Sequence, residues 1–342
     1  MGTDADLSAP TARSTITDVA RAAGVSVATV SKVINGRDGV APATFQKVMR
    51  VVSELGYETS LVASSLRRRR TGVIGILVAE FEPYSSELLK GISAAAHGTG
   101  YELLAYSGPL AAEPPAGWER RSLSRLAGTL VDGAIVVTPT VLMPDTSIPV
   151  VAIDPHTGRG GPSTIDSDNV AGSHLAMRHL LELGHRRIAH ISGRGDLESS
   201  HLRERGYREA LEQAGLPFDP DLVRDGEYRR QEAAAAAREL LARPDRPTAV
   251  FAANDLSAFG VIEVAHELGL RVPEDLSVIG FDDIPDASRS TPRLTTVAQP
   301  LGEMGAEALR MLLALLDGNE AERHIRLDAS LVVRDSTAPA PA

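Results

Sequence analysis

The sequence predicts an α/β protein with a small all-α N-terminal segment followed by a core of two doubly wound lobes. Helical patterns alone occupy residues 15–57, whereas apolar strand runs alternate with amphipathic helices from residue 72 onward. This alternation is typical of parallel sheets, and about nine strand runs exceed one ordinary sheet, which favours two. The charge changes at the same boundary: residues 1–71 carry ten Lys and Arg against six Asp and Glu, and the remainder carries 25 against 39. A basic segment on an acidic body suits a module that binds polyanions.

The basic segment opens with two short helices that a single glycine separates. Thr15 and Asp18 have the spacing of a capping box, which begins a helix that Gly24 interrupts. Ser26 is placed to cap a second helix of about two turns. A third amphipathic helix is predicted over "APATFQKVMRVVSELGY", whose proline occupies a first-turn position. Because helices this short bury little apolar surface individually, we expect all three to form one minimal domain.

The acidic body contains the strand runs that define the two lobes. Polar side chains follow several runs directly, which places them at the carboxyl ends of the strands, where open α/β sheets bind ligands. The clearest runs are "GVIGILVA", "YELLAYS", "GAIVVTP", "PVVAID", "RRIAHISG", "TAVFAAND" and "DLSVIGFDD". We therefore expect a ligand site in the cleft between the lobes.

Composition and motifs exclude several classes of function. The chain has no cysteine, which rules out disulfides and thiolate metal sites, and its nine histidines show no metal-ligand spacing. It contains no hydrolase nucleophile elbow, phosphate-binding P-loop or zinc-protease motif, so we expect neither an enzyme nor a cofactor. No apolar run reaches the roughly 18 residues of a membrane span, and the polar start lacks the features of an export signal. The expectation is a cytoplasmic protein without membrane contact.

Residues 15–35, "TITDVARAAGVSVATVSKVIN", resemble the helix-turn-helix of the LacI/GalR family of bacterial transcriptional regulators. The resemblance extends to about residue 335, because further family landmarks follow in the family's order. These are "LGY", "VASSL", "HLLELGHRRIAHISG", "AANDLSAFGVIEVAHELGLRVPEDLSVIGFDD" and "TTVAQP". The resemblance implies a DNA-binding headpiece, a hinge helix and a two-lobed periplasmic-binding-protein-like core that forms a homodimer. The C-terminal "VVRDSTAPAPA" lacks the leucine heptads of tetrameric members, which favours a dimer.

The resemblance also implies where the domains begin and end. We expect a disordered tail over 1–14, the headpiece over 15–59, the hinge helix and linker over 60–71, the core over 72–335 and a disordered tail over 336–342. Within the core, the first lobe takes about 72–168 and 299–327, and the second takes about 169–298 and 328–335.

The family pattern implies that the second helix lies in the DNA major groove and that the hinge helix inserts into the minor groove. The residues expected to contact operator DNA are Thr15, Ser26, Val27, Ala28, Thr29, Ser31, Lys32, Asn35, Leu66 and Arg67. Of these, Val27, Ala28 and Lys32 match base-reading positions, and Leu66 matches the wedge that kinks the duplex. Plain helix surface or headpiece core for Val27 and Ala28, and capping of the core's first strand for Leu66, remain alternatives. The hinge departs from the family at Thr59 and Ser64, where proline and arginine are usual.

The family pattern places effector contacts on both lobes. The expected set is Tyr84, Ser85, Asp154, Arg203, Tyr228, Asn254, Asp282 and Gln299. Asp154, Asn254 and Asp282 each follow an apolar strand, and Asp or Asn in that place also caps helices or forms turns. Arg203 has the alternative of pairing with Glu204, and the two tyrosines have the alternative of ordinary surface positions.

An arginine among Asp and Asn side chains can bridge adjacent hydroxyls, and tyrosines can stack on a sugar ring. Glu80 and Glu82 lie beside the first-lobe contacts and would repel phosphates and carboxylates, which favours a neutral sugar. The sequence therefore predicts a repressor of carbohydrate uptake or catabolism genes, released from operator DNA by a mono- or oligosaccharide inducer. The alternatives are a regulator activated by a non-sugar corepressor and a sugar-binding transport protein.

Overall fold

The computed structural model describes residues 14–34, 39–55, 70–108, 117–143, 146–156 and 161–341. The chain divides into two compact units, Met1–Thr71 and Gly72–Ala342. None of the helices in the described ranges combines the length and the apolarity needed to cross a bilayer.

The first unit is a three-helix domain whose helices begin where the sequence signals place them. Thr15 accepts a hydrogen bond from the backbone of Asp18, whose side chain bonds back to Thr15, so the predicted capping box is present. Gly24 ends the first helix at a φ of 63°, a left-handed conformation that glycine adopts without strain. Val19, Val30 and their neighbours form the small core. The helices are α1 (Ile16–Ala23), α2 (Val27–Ile34) and α3 (Pro42–Glu54).

The second unit contains two six-stranded sheets, one in each lobe, and helices pack against their faces. The strands are β1 (Val73–Val78), β2 (Glu102–Ser107), β3 (Gly133–Val137), β4 (Val150–Ile153), β5 (Ser163–Ser167), β6 (Ile188–Ser192), β7 (Val223–Asp225), β8 (Ala249–Ala252), β9 (Ser277–Asp282), β10 (Thr295–Ala298), β11 (His324–Leu327) and β12 (Ser330–Val332). The helices are α4 (Pro83–Ala96), α5 (Trp118–Leu126), α6 (Asn169–Glu182), α7 (Glu198–Gln213), α8 (Arg230–Leu241), α9 (Asp255–Glu267) and α10 (Leu301–Leu316), and Pro220–Leu222 and Pro285–Ser288 form 3₁₀ turns.

The strand order shows that the chain passes between the lobes three times. The first sheet has the order β11-β5-β4-β3-β1-β2, and the second has the order β12-β10-β9-β8-β6-β7. All neighbouring strands are parallel except β10 and β12. The crossings therefore follow β5, β10 and β11. Because both sheets are parallel and covered by helices, β1, β3 and β9 are buried along their whole length, as their apolar runs predict.

The expectation of a disordered C-terminal tail over 336–342 is wrong for residues 336–340. The Ser336 hydroxyl is buried and donates to the Val278 carbonyl at 2.6 Å. The backbone N–H of Ala338 donates to the Ser277 hydroxyl at 3.0 Å, and that of Ala340 to the Leu183 carbonyl at 2.8 Å. The Pro/Ala composition suggested disorder because it supplies no apolar pattern, but hydrogen bonds from the backbone fix the segment along the second lobe.

Candidate ligand cavity and DNA-binding face

A cavity of about 420 Å³ opens between the two lobes, at the carboxyl ends of the strands. Six of the eight predicted effector residues line it: Tyr84, Asp154, Arg203, Tyr228, Asn254 and Asp282. Ser85 and Gln299 are not among the lining residues. Ser85 is buried in α4, at 3% exposure, beside the tyrosine that does reach the cavity.

Arg203 is the central charge of the second-lobe wall, and it is 3% exposed. Its Nε donates to the Asn169 side-chain oxygen at 2.8 Å, and its Nη1 donates to the Ala253 carbonyl at 2.5 Å. The same Nη1 lies 3.5 Å from a carboxylate oxygen of Asp282. The alternative pairing with Glu204 is absent, because Glu204 pairs with Arg208 on the outer face of α7. Arg203 therefore faces the cavity with its position fixed by neutral acceptors and one carboxylate.

Gln299 explains how Asp282 is held, although it does not reach the cavity. The Gln299 amide donates to Asp282 Oδ1 at 2.7 Å, and the Ser167 hydroxyl donates to the Gln299 carbonyl oxygen at 2.5 Å. Ser167 ends the last internal strand of the first lobe, so Gln299 joins the two lobes beside a crossing. Because both ends of the Gln299 amide are bonded to Asp282 and Ser167, the side chain supports the cavity lining and does not form part of it.

Tyr228 forms an aromatic wall of the cavity, and it is not an ordinary surface residue. Its hydroxyl shares a 2.9 Å hydrogen bond with Ser199, and its carbonyl accepts from the Asn254 amide at 3.1 Å. The ring lies against Gly193, where a Cβ would come within 2.1 Å of it, so only glycine leaves room. Asn254 also caps α9 by accepting from the Ser257 N–H at 2.9 Å. The capping alternative for Asn254 is therefore realised, together with its place at the cavity.

Strained backbone is concentrated at this cavity. The described non-glycine residues with positive φ are Thr138, Asp154, Glu227, Tyr228, Asp282 and Asp283, and all but Asp283 line the cavity. Left-handed conformations cost side-chain-bearing residues about 1–3 kcal/mol each and persist where the surroundings determine them, commonly at functional sites. The concentration of strained residues therefore identifies the cavity as a candidate functional site, independently of the residue types that line it.

Burial shifts the pKa values of the cavity carboxyls upward. Burial, followed by the charges of Asp282 and Glu80, raises the pKa of Glu82 to about 7. Burial also raises the pKa of Asp154 and that of Asp282 to about 6 each, and Arg203 opposes both shifts. Groups perturbed by both desolvation and a specific charge partner are typical of binding sites.

Sequence reasoning missed His156, which lines the cavity two residues beyond Asp154. Both of its ring nitrogens are buried and have no hydrogen-bond partner within the part of the chain that the structure describes. Burial lowers its pKa to about 4, so the ring is neutral and offers one donor and one acceptor. The hydroxyl of Tyr84 is likewise buried without a partner among those residues. The position of "AIDPH" directly after an apolar strand run was the available signal.

Helix α2 exposes the side chains that the family pattern assigns to base reading. Val27 is 41% exposed, and Ala28 and Lys32 are also exposed, so the alternative of headpiece core is wrong for the first two. Val30 and Val33 of the same helix form the core instead. The other expected DNA contacts within the described residues are Thr15 and Ser26, which cap helices, and Thr29 and Ser31, which are half-buried. Asn35, Thr59, Ser64, Leu66 and Arg67 lie outside the described residues.

The described ranges contain no cluster of three His, Asp or Glu side chains arranged to hold a metal ion. This finding concerns only residues 14–34, 39–55, 70–108, 117–143, 146–156 and 161–341.

Comparison with known proteins gives two matching families. Residues 15–60 match the family described as bacterial regulatory proteins, lacI family, and residues 177–337 match a periplasmic binding protein-like domain. The HTH-type transcriptional regulator CelR of Thermobifida fusca is 36% identical, with 95% of this chain and 98% of CelR covered. The HTH-type transcriptional regulator DegA of Bacillus subtilis is 37% identical, with 96% and 99% covered.

Solved structures give the same result over nearly the whole chain. A CelR–cellobiose complex aligns with a TM-score of 0.69 at 35% identity, covering 95% of this chain and all of the solved one. The lac repressor dimer bound to operator and the anti-inducer ONPF aligns with a TM-score of 0.81 at 28% identity, covering 96% and 100%. The two-domain organisation is therefore common to this chain and to proteins solved with a sugar and with DNA.

Proposed function

The chain belongs to the LacI family of bacterial regulatory proteins, and from this membership we propose a repressor of carbohydrate uptake or catabolism genes that a neutral sugar releases from DNA. Family membership makes the chain a DNA-binding transcriptional regulator. Its relatives are regulators, and we assign it no enzymatic activity. As a regulator of bacterial genes, it acts in the cytoplasm.

The cavity chemistry is the observation that carries the sugar assignment. The guanidinium of Arg203 and the carboxylate of Asp282 lie 3.5 Å apart, which suits adjacent hydroxyls that accept from one and donate to the other. Tyr228 offers an aromatic face beside them. Glu80, Asp154 and Asp282 also line the cavity, and their carboxylates would repel an anionic ligand. Because its relative CelR is solved with cellobiose, cellobiose is the first ligand to test.

The DNA partner follows from the exposed face of α2 and from the family's dimeric organisation. A homodimer would place two recognition helices on half-sites about one helical turn apart, roughly 34 Å, in a pseudo-palindrome. Lys32 can donate to guanine acceptors, and Ala28 can contact a thymine methyl group. Leu66 would insert at the centre, where an easily kinked pyrimidine–purine step is expected.

Release follows from linkage between the two sites. A ligand shifts an equilibrium only through different affinities for two states, so the sugar must favour a lobe arrangement that the operator disfavours. Because three crossings connect the lobes, closure on a sugar would rotate the first lobes of the dimer relative to each other. Separation of the two hinge segments would then melt their short helices, with a coupling of about 1–3 kcal/mol.

Titration of sugars into a preformed operator complex tests this function. The operator is first selected from genomic fragments by band shift, and cellobiose and glucose are then added while DNA release is followed by fluorescence anisotropy. Weaker operator binding with a neutral sugar is the expected result. Tighter binding would establish a corepressor, and failure to select any DNA fragment would contradict the regulator assignment for this chain.

The Leu66→Ala variant separates the two binding activities. We expect weaker operator binding, because the wedge that stabilises bent DNA is removed, and unchanged sugar binding. Lys32→Ala is the companion variant, and it should relax discrimination at one symmetric base pair. Unchanged operator affinity in Leu66→Ala would contradict the wedge assignment, and a uniform loss in Lys32→Ala would make Lys32 a phosphate contact.

A further inference from the structure

Asp255, the first residue of α9, is fully buried and is not among the residues that line the cavity. Its two carboxylate oxygens hold two different elements. The Ile284 backbone N–H donates to Oδ2 at 2.9 Å, and the Thr296 hydroxyl donates to Oδ1 at 2.5 Å. Asp255 therefore joins the start of α9 to the turn after β9 and to the adjacent strand β10.

The turn that Asp255 holds is the one that presents Asp282 to the cavity. Asp282 has a φ of 113° and Asp283 a φ of 58°, both in the left-handed region. Strained residues keep such conformations only where neighbouring contacts determine them. Ile284 is the next residue, so its hydrogen bond to Asp255 fixes the backbone immediately after the strained pair.

Strand β9 has a glycine at the point where the Asp255 carboxylate approaches it. Gly280 lies in the middle of β9, and a Cβ at this position would come within 2.3 Å of Asp255 Oδ1. Its backbone needs no glycine for conformational reasons, because its φ is not in the left-handed region. The glycine thus serves the close approach of the Asp255 side chain.

We infer that Asp255 is a positioning residue of the effector site, which holds the Asp282 carboxylate towards the ligand while making no ligand contact itself. The effect of Asp255 on ligand affinity rests on the proposed function, because the proposed function assigns Asp282 to effector binding. The holding of the turn is independent of any ligand. The two parts are therefore tested separately, on the full chain.

The first measurement needs no ligand. Asp255→Ala should accelerate amide hydrogen exchange in the segment 282–287 by about tenfold or more, because the Ile284 N–H loses its acceptor. Gly280→Ala should act in the same way by displacing the carboxylate. Asp255→Asn should leave the exchange rate unchanged, since an amide can accept from Ile284 and donate to Thr296. Burial raises the pKa of Asp255 well above its ordinary value, so an uncharged amide is a close substitute.

Ser277→Ala is the matched control. Ser277 is a fully buried residue at the opposite end of β9, where it bonds to His185 and to the C-terminal segment. The Ser277→Ala substitution removes buried hydrogen bonds in the same strand, at the end far from the Asp282 turn. We expect a lower melting temperature without faster exchange at 282–287.

The second measurement is the affinity for cellobiose by calorimetry, with the wild type as reference. Asp255→Ala and Gly280→Ala should weaken binding by about tenfold or more, while Asp255→Asn and Ser277→Ala stay within about threefold. If the wild type binds no sugar, the proposed effector is wrong and the exchange experiment still decides the positioning role. Exchange at 282–287 that is unchanged in Asp255→Ala, or faster exchange with wild-type affinity, would overturn the inference.

Discussion

The two walls of the cavity differ in how their polar groups are satisfied. On the second-lobe wall, Arg203, Tyr228 and Asn254 each have hydrogen-bond partners within the protein. On the first-lobe wall, the Tyr84 hydroxyl and both His156 nitrogens have none among the described residues. Buried polar groups without partners cost about 1–3 kcal/mol each. If a ligand binds as proposed, it would meet second-lobe groups that are already held and would supply partners to the first-lobe groups, and this difference would favour closure of the cleft.

The largest effect should come from removing the centre of the organised wall. Arg203→Ala leaves Asp282 buried without its cation, so the free energy of unfolding should fall by about 3–5 kcal/mol and sugar affinity by about 30-fold or more. Urea unfolding and calorimetry measure the two quantities. Arg203→Lys keeps the charge without the planar fork, and it should retain stability better than affinity.

Arg205→Ala is the control for Arg203, because Arg205 lies two residues along α7 with its side chain 58% exposed in an ion pair with Glu209. Its loss should change stability by less than about 1 kcal/mol and leave sugar binding unchanged. An equal effect of the two substitutions would contradict the central role of Arg203.

A pair of hydroxyl deletions compares the two walls directly. Tyr84→Phe removes a buried hydroxyl without a described partner, so the ligand-free protein should be as stable as the wild type or more stable. Tyr228→Phe removes a hydroxyl bonded to Ser199 and should cost about 0.5–1.5 kcal/mol. Both should weaken sugar binding. Loss of stability in Tyr84→Phe would show that its hydroxyl already has a partner and would remove the contrast between the walls.

The contrast between the walls is the part of the site that the sequence could not predict. The strand-end rule found Asp154, Asn254 and Asp282, because parallel strands bring their carboxyl ends to one edge. It did not show that the Asn254 amide is occupied by Tyr228, since that contact depends on a left-handed backbone 26 residues away. His156 lies two residues beyond a strand end, and the sequence does not show that its ring nitrogens are buried without partners among the described residues.

The fold was predicted more completely than the site. The long apolar runs gave two lobes of parallel strands, because burial on both faces leaves an uninterrupted apolar pattern. The runs that the sequence singled out do not include β5, β7, β10, β11 and β12, since strands of three to five residues, most with polar positions, carry too little pattern. The segment 336–340 was wrongly assigned as disordered, because hydrogen bonds through the backbone leave no mark in the composition.

The pH dependence of stability offers a smaller test of the first-lobe wall. Glu82 has an ordinary pKa of 4.5 that is raised to about 7 in the folded protein, chiefly by burial. The folded state therefore binds the proton more tightly, so this contribution to stability is present below pH 4.5 and is lost as the pH rises to about 7. Urea unfolding should show this decline in the wild type relative to Glu82→Gln, a comparison that cancels the other groups titrating in the same pH range, such as Asp154, Asp282 and His156.

Glu87→Gln is the control for this test, since Glu87 lies in α4, the helix that Glu82 precedes, and pairs with Lys90 outside the cavity. The decline between pH 4.5 and about 7 should persist in this variant. If the stability of Glu82→Gln had the same pH dependence as that of the wild type, the Glu82 carboxyl of the wild type would be hydrated in the folded protein. Burial would then not raise its pKa.

The smallest effect is expected from the ion pair that joins the two walls at the surface. Arg229 Nη2 lies 3.1 Å from Glu80 Oε1, with the two side chains 42% and 53% exposed. Exposed pairs contribute about 0–1 kcal/mol, because water screens the charges and both side chains lose rotamer freedom. A double-mutant cycle of Glu80→Gln and Arg229→Gln should therefore give a coupling in sugar affinity below about 1 kcal/mol that shrinks further in high salt. A coupling above about 2 kcal/mol would mean that closure of the cleft depends chiefly on this surface ion pair. It would contradict the view that closure is driven by the Tyr84 and His156 groups inside the cavity.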